Sequence, residues 1–192
     1  MLYLVSGSPR RRRILKEHGV KFQTLAPDYL EEKISGKPPS AVVRIHAMGK
    51  AMSAVKKIVS GTILAADTIV YFDGKIIGKP GDLKEAAKIL NRLQGKWHTV
   101  YTGVMILRVR PGRPQRKEFF FETTHVLLKK LDRKMIRSYF QKVNPLDKAG
   151  AYAIQSKRFP IVQEIRGSFS NAMGLPIEKV LLKGPRRLKM AL

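Results

Sequence analysis

The sequence predicts an α/β protein built on a mixed, twisted central sheet with flanking helices, arranged as two lobes around a cleft. Short apolar runs alternate with helical patterns in the first half of the chain, and two long β-rich segments, Trp97–Val109 and Phe119–Leu128, follow. The chain has 192 residues, of which 44% are hydrophobic, and these values are typical of about one globular domain. We therefore expect a single two-lobed domain over residues 1–184 and a basic tail over 185–192.

The first half of the chain predicts strands that lead directly into helices. Leu2–Val5 is a short apolar strand, and Ser8 and Pro9 are a good N-cap and first residue for a short helix that ends near Gly19. Ser40 is predicted to cap the next helix, which ends at Gly61. The other predicted elements here are strands at Phe22–Ala26 and Thr62–Ala66, an extended continuation at Thr68–Phe72, a turn at Asp73–Gly74 and a return strand at Lys75–Ile77.

The second half predicts a helix, a long hairpin and a mixed C-terminal region. Asp82, with Glu85 three residues later, begins a helix that Gly95 closes. The two β-rich segments are joined by Arg110–Arg116, which contains prolines and a glycine and so predicts an exposed hairpin loop. The remaining predicted elements are a helix over Asp132–Val143, a strand over Ile161–Ile165, a polar loop over Ser168–Gly174 and a final helix over Pro176–Lys183.

Charge and cysteine content limit the classes of function. The chain has 38 Lys and Arg against 14 Asp and Glu, a formal net charge of +24, which predicts attraction to nucleic acid, anionic membranes or phosphorylated small molecules. It contains no cysteine, which excludes disulfides, thiolate catalysis and Cys-ligated zinc. No stretch approaches 18 apolar residues, and the first apolar run is too short for a signal peptide, so we expect a cytoplasmic protein.

The segment Ser6–Arg11 is the first candidate for a binding site. It joins a predicted strand to a helix N-terminus, where free backbone N–H groups and the positive end of the helix dipole attract phosphate. Arg10 and Arg11 add forked donors that suit phosphate oxygens. The alternative is a proline-initiated surface helix in a protein that is basic throughout, and this segment alone leaves both interpretations open.

Asp67 is the second candidate. Residues 33–66 contain no Asp or Glu, and Asp67 then comes at the C-terminal end of the most apolar strand, where open α/β sheets bind their ligands. A carboxylate there can hold a divalent cation or activate water, and Glu32 on the early loop is a candidate second ligand. The alternative is that Asp67 caps a turn or pairs with a lysine.

Two loops and four histidines complete the inventory. Lys79 lies between Gly78 and Pro80 and can present a fixed charge to phosphate, although an exposed turn lysine is the simpler interpretation. Asp147–Gln155 is rich in small residues, and Gln155 has the donor and acceptor needed to recognise a base edge, whereas tight packing is the alternative. The histidines lack metal-ligand spacing and are interpreted as structural or surface residues: His18, His46, His98 and His125.

Taken together, these segments resemble the Maf family of nucleoside triphosphate pyrophosphatases. The resemblance extends from Leu4 to about Leu182, nearly the whole chain. Its motifs occur in family order at Ser6–Arg11, Leu30–Glu32, Lys50–Ala51, Ala66–Val70, Gly78–Pro80, Leu93–Gly95, Tyr101–Val104, Asp147–Tyr152, Ile154–Gln155 and Gly174–Pro176. Any one of them is weak, but chance does not account for all of them in this order.

The resemblance implies a fold of the Maf and inosine-triphosphatase type and a reaction. Family members hydrolyse nucleoside triphosphates to the monophosphate and pyrophosphate with a divalent cation, Mg²⁺ or Mn²⁺. Asp67 matches the catalytic acid that accepts a proton, and Asp67 and Glu32 match acids at the metal. The substrate-binding positions that the resemblance implies are Ser8, Arg10, Arg11, Lys50, Thr68, Lys79 and Gln155. It also implies a homodimer.

Base preference is suggested by two segments. Ala66–Thr68 together with Ala151–Gln155 is similar to the subfamily that acts on dTTP and UTP, which implies a role in clearing nucleotides from the pool. A pyrophosphatase for 7-methyl-GTP or another modified base is the alternative. Ser156 stands where the family pattern has glycine, and Lys157–Pro160 is bulkier and more basic than usual, so the base pocket is where this chain departs most from the pattern.

A basic nucleic-acid-binding protein is the alternative from a different class. The net charge and the basic run Lys183–Lys189 motivate it. The sequence has no zinc-finger or RRM signature, aromatic residues make up only 8%, and the lysines are spread along the chain. We therefore expect nucleic acid to be a secondary partner at most, and we expect no membrane partner.

Overall fold

The computed structural model describes residues 1–32, 34–112, 115–156 and 159–184. The predicted tail over 185–192 and part of the predicted hairpin loop, residues 113–114, lie outside the described residues. The strands are β1 (Leu2–Val5), β2 (Gln23–Leu25), β3 (Gly61–Phe72), β4 (Lys75–Ile77), β5 (Trp97–Val109), β6 (Arg116–Leu128) and β7 (Val162–Gly167). The helices are α1 (Pro9–Glu17), α2 (Pro39–Ser53), α3 (Leu83–Leu93), α4 (Arg133–Lys142), α5 (Phe169–Ala172) and α6 (Ile177–Lys183).

The strands form a mixed sheet in the order β2-β1-β3-β5-β6-β7, and β4 pairs with β3. β1 is parallel to both β2 and β3, as expected where helices connect consecutive strands. β4 is antiparallel to β3, and β7 is antiparallel to β6. The predicted α/β class, with a mixed sheet and flanking helices, is confirmed.

The chain forms two compact units. The first contains Met1–Asp67, Thr102–Glu122 and the segment from Gly174 onward, and the second contains Thr68–Tyr101 and Thr123–Met173. Because the chain enters the first unit three times, residues that are distant in sequence meet within it.

The core of the first unit is built around α2. Its buried members are mostly small or β-branched: Val5, Ala47, Ala51, Ala54, Ile63, Ala65, Met105, Leu107 and Val109. Alanines on α2 allow the helix to lie close to the strands, and Gly103 permits an especially close approach, since a Cβ there would lie 2.8 Å from Val43 Cγ2. This packing fixes the position of α2 and therefore of Lys50, which it carries.

The core of the second unit is built from α3, α4 and the strands beside them. Leu90, Leu93 and Tyr139 are fully buried there. Both helices begin where the sequence predicts, because Asp82 Oδ1 accepts from the Glu85 amide at 2.7 Å and Asp132 Oδ1 accepts in the same way from Met135 at 2.8 Å.

Two predicted elements differ in the structure. α2 begins at Pro39 with Pro38 as its N-cap and ends at Ser53, so the predictions that Ser40 caps the helix and that it continues to Gly61 are wrong. A proline suits the first turn because its missing N–H has no helical partner there. The predicted polar loop Ser168–Gly174 contains the short helix α5, since the Ser168 hydroxyl accepts from the Asn171 amide at 3.0 Å and starts a helical turn.

Candidate active site

Two candidate residues lie at the same edge of the sheet in the first unit. Val5 of β1 pairs with Ala65 of β3 in parallel register. Ser6 therefore follows the end of β1, and Asp67 lies within β3 just beyond the last position at which β3 pairs with β1. Ligands of α/β sheets bind beyond the carboxyl ends of parallel strands such as β1. The apolar run Ile63–Ala66 is completely buried and carries Asp67, which is itself only 4% exposed, to this edge.

Lys50 joins two carboxylates at this edge. Its ammonium Nζ lies 2.6 Å from Asp67 Oδ1 and 2.7 Å from Glu31 Oε1. Lys50 and Asp67 are buried, whereas the Glu31 side chain is exposed. A buried charge is stable only when it is paired, so the three side chains depend on one another. We call Glu31, Lys50 and Asp67 the carboxylate–lysine cluster.

Tyr29 holds the loop that carries Glu31 against α2. Its hydroxyl lies 3.0 Å from His46 Nδ1, and a Cβ at Gly49 would overlap its ring. The amide of Asp28 also donates to Ser53 Oγ at 3.1 Å. Partial burial, followed by the negative charges of the carboxylates nearby, raises the pKa of Tyr29, so the phenol stays protonated at neutral pH.

The loop between β1 and α1 has the features expected of a phosphate site. Ser8 occupies the N-cap of α1, as predicted, and its side chain makes no capping hydrogen bond. The Ser8 amide donates to Ser6 Oγ at 3.1 Å, which folds the loop back on itself. A Cβ at Gly7 would meet nothing within 4 Å, so the space beside the loop is open. Arg10 lies half-buried in the first turn of α1.

Arg11 is an anchor for this loop. Its Nε donates to the Gly174 carbonyl at 2.7 Å and its Nη1 donates to Ser6 Oγ at 3.2 Å. Burial lowers the pKa of Arg11, and the negative charge of Asp67 acts in the opposite direction. The guanidinium remains a cation, since arginine keeps its proton in proteins. It therefore holds the loop in place and contributes positive charge near Asp67.

The remaining predicted residues divide between the two units. Glu32 in the first unit is exposed, and the structure brings its neighbour Glu31 to Lys50; Glu32 as a metal ligand stays a prediction. Thr68 and Gln155 in the second unit are half-buried and Lys79 is exposed. Within the part of the chain that the structure describes, Gln155 Oε1 is a buried acceptor with no hydrogen-bond donor.

The two predicted loops of the second unit meet. The Gly150 amide donates to the Gly78 carbonyl at 3.1 Å, which joins the Gly78–Pro80 loop to the segment that leads to Gln155. Gly150 adopts a φ of 75°, a left-handed conformation that favours glycine. A Cβ there would also lie 2.9 Å from Val70 Cγ2, so this turn requires glycine for space as well.

Sequence reasoning missed several residues of the site. Glu31 was visible only as part of a motif, and nothing in the local pattern distinguishes it from Glu32. Tyr29 and His46 were not assigned to the site; His46 is buried against Tyr29, which fits the structural role predicted for the histidines. Gly49 carried a usable signal, because a glycine inside a helical pattern often marks close packing.

Comparison with known proteins decides the family. The sequence model described as Maf-like protein matches residues 1–183. The chain belongs to the Maf-like family. Of the motifs on which the resemblance rested, Ala66–Val70 contributes Asp67 to the cluster of this Maf-like protein, and Ser6–Arg11 contributes Arg11, whose positive charge acts on Asp67.

Several curated relatives cover almost all of this Maf-like chain. A protein of Thermosipho melanesiensis is 41% identical over 181 residues, covering 93% of both chains. A protein of Thermoanaerobacter sp. is 42% identical over 180 residues, covering 93% of this chain and 92% of its own. Both are named dTTP/UTP pyrophosphatase. The solved Ham1 protein of Staphylococcus aureus aligns with a TM-score of 0.48 at 14% identity, over 95% of this chain and 98% of its own, a match that adds nothing to the assignment.

A membrane-spanning helix and a cluster of metal-binding side chains are both absent from the described ranges. Among residues 1–32, 34–112, 115–156 and 159–184, no helix is long and apolar enough to cross a membrane. In the same ranges, no group of three or more His, Cys, Asp or Glu side chains is arranged to hold a metal ion by itself.

Proposed function

We propose that this Maf-like protein is a cytoplasmic nucleoside triphosphate pyrophosphatase that hydrolyses dTTP and UTP to the monophosphate and pyrophosphate. The observation that carries the proposal is the carboxylate–lysine cluster, which holds a buried carboxylate at the edge of the sheet where a basic strand-to-helix loop also lies. Relatives that are 41–42% identical and named dTTP/UTP pyrophosphatase support the same reaction and bases. The role that follows is removal of these nucleotides from the pool.

Asp67 is the proposed catalytic residue. Its Oδ1 accepts a hydrogen bond from Lys50, which fixes the carboxylate and leaves Oδ2 to accept a proton. In the proposed reaction, a water molecule attacks the α-phosphorus in line with the leaving oxygen and gives its proton to Asp67. The bond between the α-phosphorus and the bridging oxygen breaks, and pyrophosphate leaves. Water supplies the nucleophile, so no covalent enzyme intermediate forms.

The β1–α1 loop is the proposed triphosphate site. A triphosphate carries about four negative charges, and fixed cations together with a helix N-terminus stabilise the charge that develops on the leaving group. Ser8 and Arg10 lie at the start of α1, and Arg11 holds the loop to Gly174. Lys50 contributes the buried positive charge of the cluster.

The donor set of the cluster fits a divalent cation. Mg²⁺ prefers oxygen ligands and commonly binds through one or two carboxylates together with substrate phosphates and water. Lys50 Nζ already pairs with Asp67 Oδ1 and Glu31 Oε1, so a bound cation would use the carboxylate oxygen lone pairs that Lys50 does not occupy. We propose that Asp67 and Glu31 or Glu32 hold Mg²⁺ or Mn²⁺, which would supply charge neutralisation at the phosphates.

Three residues of the second unit are proposed to contact substrate. Gln155 is the most informative, because its buried Oε1 has no donor among the described residues. The N3–H of uracil and thymine is a donor that would satisfy it, whereas cytosine has an acceptor at N3. Lys79 is proposed to contact a phosphate of the substrate, and Thr68 is proposed to contact the base.

The resemblance also implies that residues 1–184 work as one domain and that the protein forms a homodimer. Sedimentation of the purified protein would test the homodimer.

The first test is Asp67→Asn. Loss of the proton acceptor is expected to lower kcat by about 10²–10⁴-fold, while circular dichroism and thermal melting show a folded protein. Asp73→Asn is the matched control, since Asp73 is an exposed aspartate in the β3–β4 turn and asparagine also tolerates its positive φ. Wild-type turnover by folded Asp67→Asn would refute the proposed chemistry.

The second test is pyrophosphate release from dTTP, UTP, CTP, 7-methyl-GTP, ITP and the common triphosphates, with Mg²⁺, Mn²⁺ or EDTA. Metal-dependent turnover greatest on dTTP and UTP supports both the reaction and the base assignment. Turnover greatest on another base would retain Asp67 and the phosphate loop but refute the proposed role of Gln155.

A further inference from the structure

A groove runs between α3 and α4 of the second unit and opens to solvent. Its volume is about 620 Å³. The lining residues recur every four positions on each helix, over residues 83–91 and 133–141, so the groove follows both helices for about two turns, roughly 12 Å. We call it the α3–α4 groove.

The floor of the α3–α4 groove is apolar. Ile136 is buried and packs into the core of the second unit, and Ala87 and Phe140 are partly buried against that core. Leu83 at the start of α3 is 52% exposed although it is a large apolar side chain. Exposed apolar surface of this kind, bordered by polar side chains, marks sites that bind a partner.

The rim of the groove carries only positive charge. Lys84, Arg133 and Arg137 line it, all three are exposed, and no acidic residue belongs to the lining. Among the ranges that the structure describes, no carboxylate forms an ion pair with any of the three. The three cations are therefore exposed and have no ion-pair partner among the described residues.

The acids nearest in sequence are already engaged. Asp82 and Asp132 accept hydrogen bonds from backbone amides at the starts of α3 and α4, and Glu85 Oε2 accepts from the Gly81 amide at 2.7 Å. Helix capping turns these carboxylates toward backbone amides, and none of them forms an ion pair with a rim cation, so the ion-pairing positions beside the three cations are open to a partner's carboxylates.

We propose that the α3–α4 groove binds an amphipathic acidic helix of a partner protein. Such a helix would lay apolar side chains at positions i, i+3, i+4 and i+7, which span about 10 Å, along the floor. Its carboxylates would lie on either side, against Lys84 on α3 and against Arg133 and Arg137 on α4. Apolar contacts supply the affinity and the charge complementarity selects the partner.

Other occupants match the groove less well. A second copy of this chain would bring a net charge of +24 to a rim that is itself positive. A nucleic acid backbone would satisfy the cations but would leave the apolar floor formed by Leu83, Ala87 and Phe140 without a matching surface. Only an occupant that is both anionic and apolar satisfies both features.

The test uses a defined probe and matched variants. The probe is a fluorescein-labelled 15-residue peptide with leucines on one helical face and glutamates on the other, and its control has the same composition with the leucines distributed around the helix. Binding to the full chain is measured by fluorescence anisotropy at physiological salt. Lys84→Glu and Arg137→Glu alter the rim, whereas Lys88→Glu and Lys134→Glu make the same charge change on the same helices outside the lining.

We expect the two rim variants to weaken binding of the amphipathic peptide by about tenfold or more, and the two control variants to weaken it by less than about threefold. We expect the control peptide, with its leucines distributed around the helix, to bind the wild-type chain at least about tenfold more weakly than the amphipathic peptide. Equal binding of both peptides, or equal effects of all four variants, would show attraction to net charge alone and overturn the proposal. If the chain self-associates and Lys84→Glu and Arg137→Glu abolish this, the groove binds a second copy and the proposal is wrong. The proposal is also wrong if RNA or anionic vesicles displace the peptide and their own binding is lost in the same two variants, because the groove then binds those ligands.

Discussion

The two units bury polar groups in different ways. In the first unit, the Lys50 ammonium lies between the carboxylates of Asp67 and Glu31, so formal charges are held at the edge of the sheet. In the second unit, His98 Nε2 lies 2.7 Å from the Tyr152 hydroxyl, and burial lowers the pKa of His98 to about 4. The second pair is therefore neutral at pH 7. The first unit therefore holds buried formal charge in the carboxylate–lysine cluster, whereas the second unit buries this pair in its neutral form.

The neutral pair belongs to a packing network. Burial raises the pKa of Tyr152, so its phenol stays protonated. The ring of Tyr152 contacts that of His98 edge to face, with centroids 5.3 Å apart. The amide of Ala153 then donates to the Tyr139 hydroxyl at 2.7 Å. These contacts pair His98 Nε2 and the two tyrosine hydroxyls without formal charge, whereas His98 Nδ1 is a buried nitrogen with no hydrogen-bond partner among the described residues.

We expect the greatest loss of stability when the buried ion pair between Lys50 and Asp67 is broken. Lys50→Met removes the ammonium and leaves Asp67 as an unpaired carboxylate in a buried position. Loss of one partner from a buried ion pair typically lowers the free energy of unfolding by about 3–5 kcal/mol. Urea unfolding at pH 7 would measure this.

The control for Lys50→Met is an exposed ion pair in the same unit. Arg13 Nε lies 2.7 Å from Glu17 Oε1 with both side chains exposed, so Arg13→Met is expected to change stability by less than about 1 kcal/mol. The double variant Lys50→Met/Asp67→Leu is expected to be more stable than Lys50→Met, because no charge is left unpaired. Equal losses in the buried and exposed single variants would contradict this account of the cluster.

The neutral arrangement predicts sensitivity to acid. The pKa of His98 is about 4 in the folded protein, below its ordinary value of 6.5. The unfolded state binds the proton more readily between these values, so stability falls as the pH decreases from about 6.5 to 4. Once the pH is below both pKa values, protonation of His98 has lowered the free energy of unfolding by about 3 kcal/mol. His98→Gln keeps a hydrogen-bonding side chain beside Tyr152, and we expect its stability to depend less on pH in this window.

The control for this pH dependence is His125→Gln, since His125 is exposed on β6. Urea unfolding of both variants and the wild type at pH 7.0, 5.5 and 4.5 would separate the contribution of His98 from that of the acidic residues. If His98→Gln lost as much stability as the wild type over this range, the neutral pair would not be a source of acid sensitivity.

The smallest change in stability is predicted for Gly49 of α2, in the first unit. Gly49→Ala favours the helical conformation of α2 but displaces the Tyr29 ring, and with it the loop that carries Glu31. We expect stability to change by less than about 1 kcal/mol, whereas kcat/KM for UTP falls about tenfold. In a Tyr29→Ala background the same substitution is expected to have no further effect on activity, which marks Gly49 as a positioning residue. Additive losses in the double variant would contradict that role.

Local patterns predicted most of the fold. The buried strand β3, which contains Asp67, the helix that Asp82 begins and the long strands β5 and β6 all follow from apolar runs, capping residues and turns that adjoin one another in the sequence. The start of α2 was misplaced because serine is a stronger capping residue than proline, which favoured Ser40. The helix begins earlier, at Pro39, with Pro38 as its N-cap.

The site was harder to predict because its contacts are long-range. Lys50 and Asp67 were both identified, but Glu31 rather than Glu32 meets the lysine because Tyr29 packs at Gly49 and orients the loop. The pairing of His98 with Tyr152 joins residues that are 54 positions apart. A sequence shows which residues can carry a charge or donate a hydrogen bond. Tertiary packing decides which of two adjacent side chains, such as Glu31 and Glu32, contacts the partner residue.

The bond from Arg11 to Gly174 also sets a sequence of events during synthesis. The two residues are 163 positions apart, and translation adds about 5–20 residues per second. The β1–α1 loop therefore waits roughly 8–30 s for the carbonyl that anchors its arginine. A nascent chain that has not reached residue 174 lacks this anchor, so the β1–α1 loop takes its anchored arrangement only after Gly174 has been added.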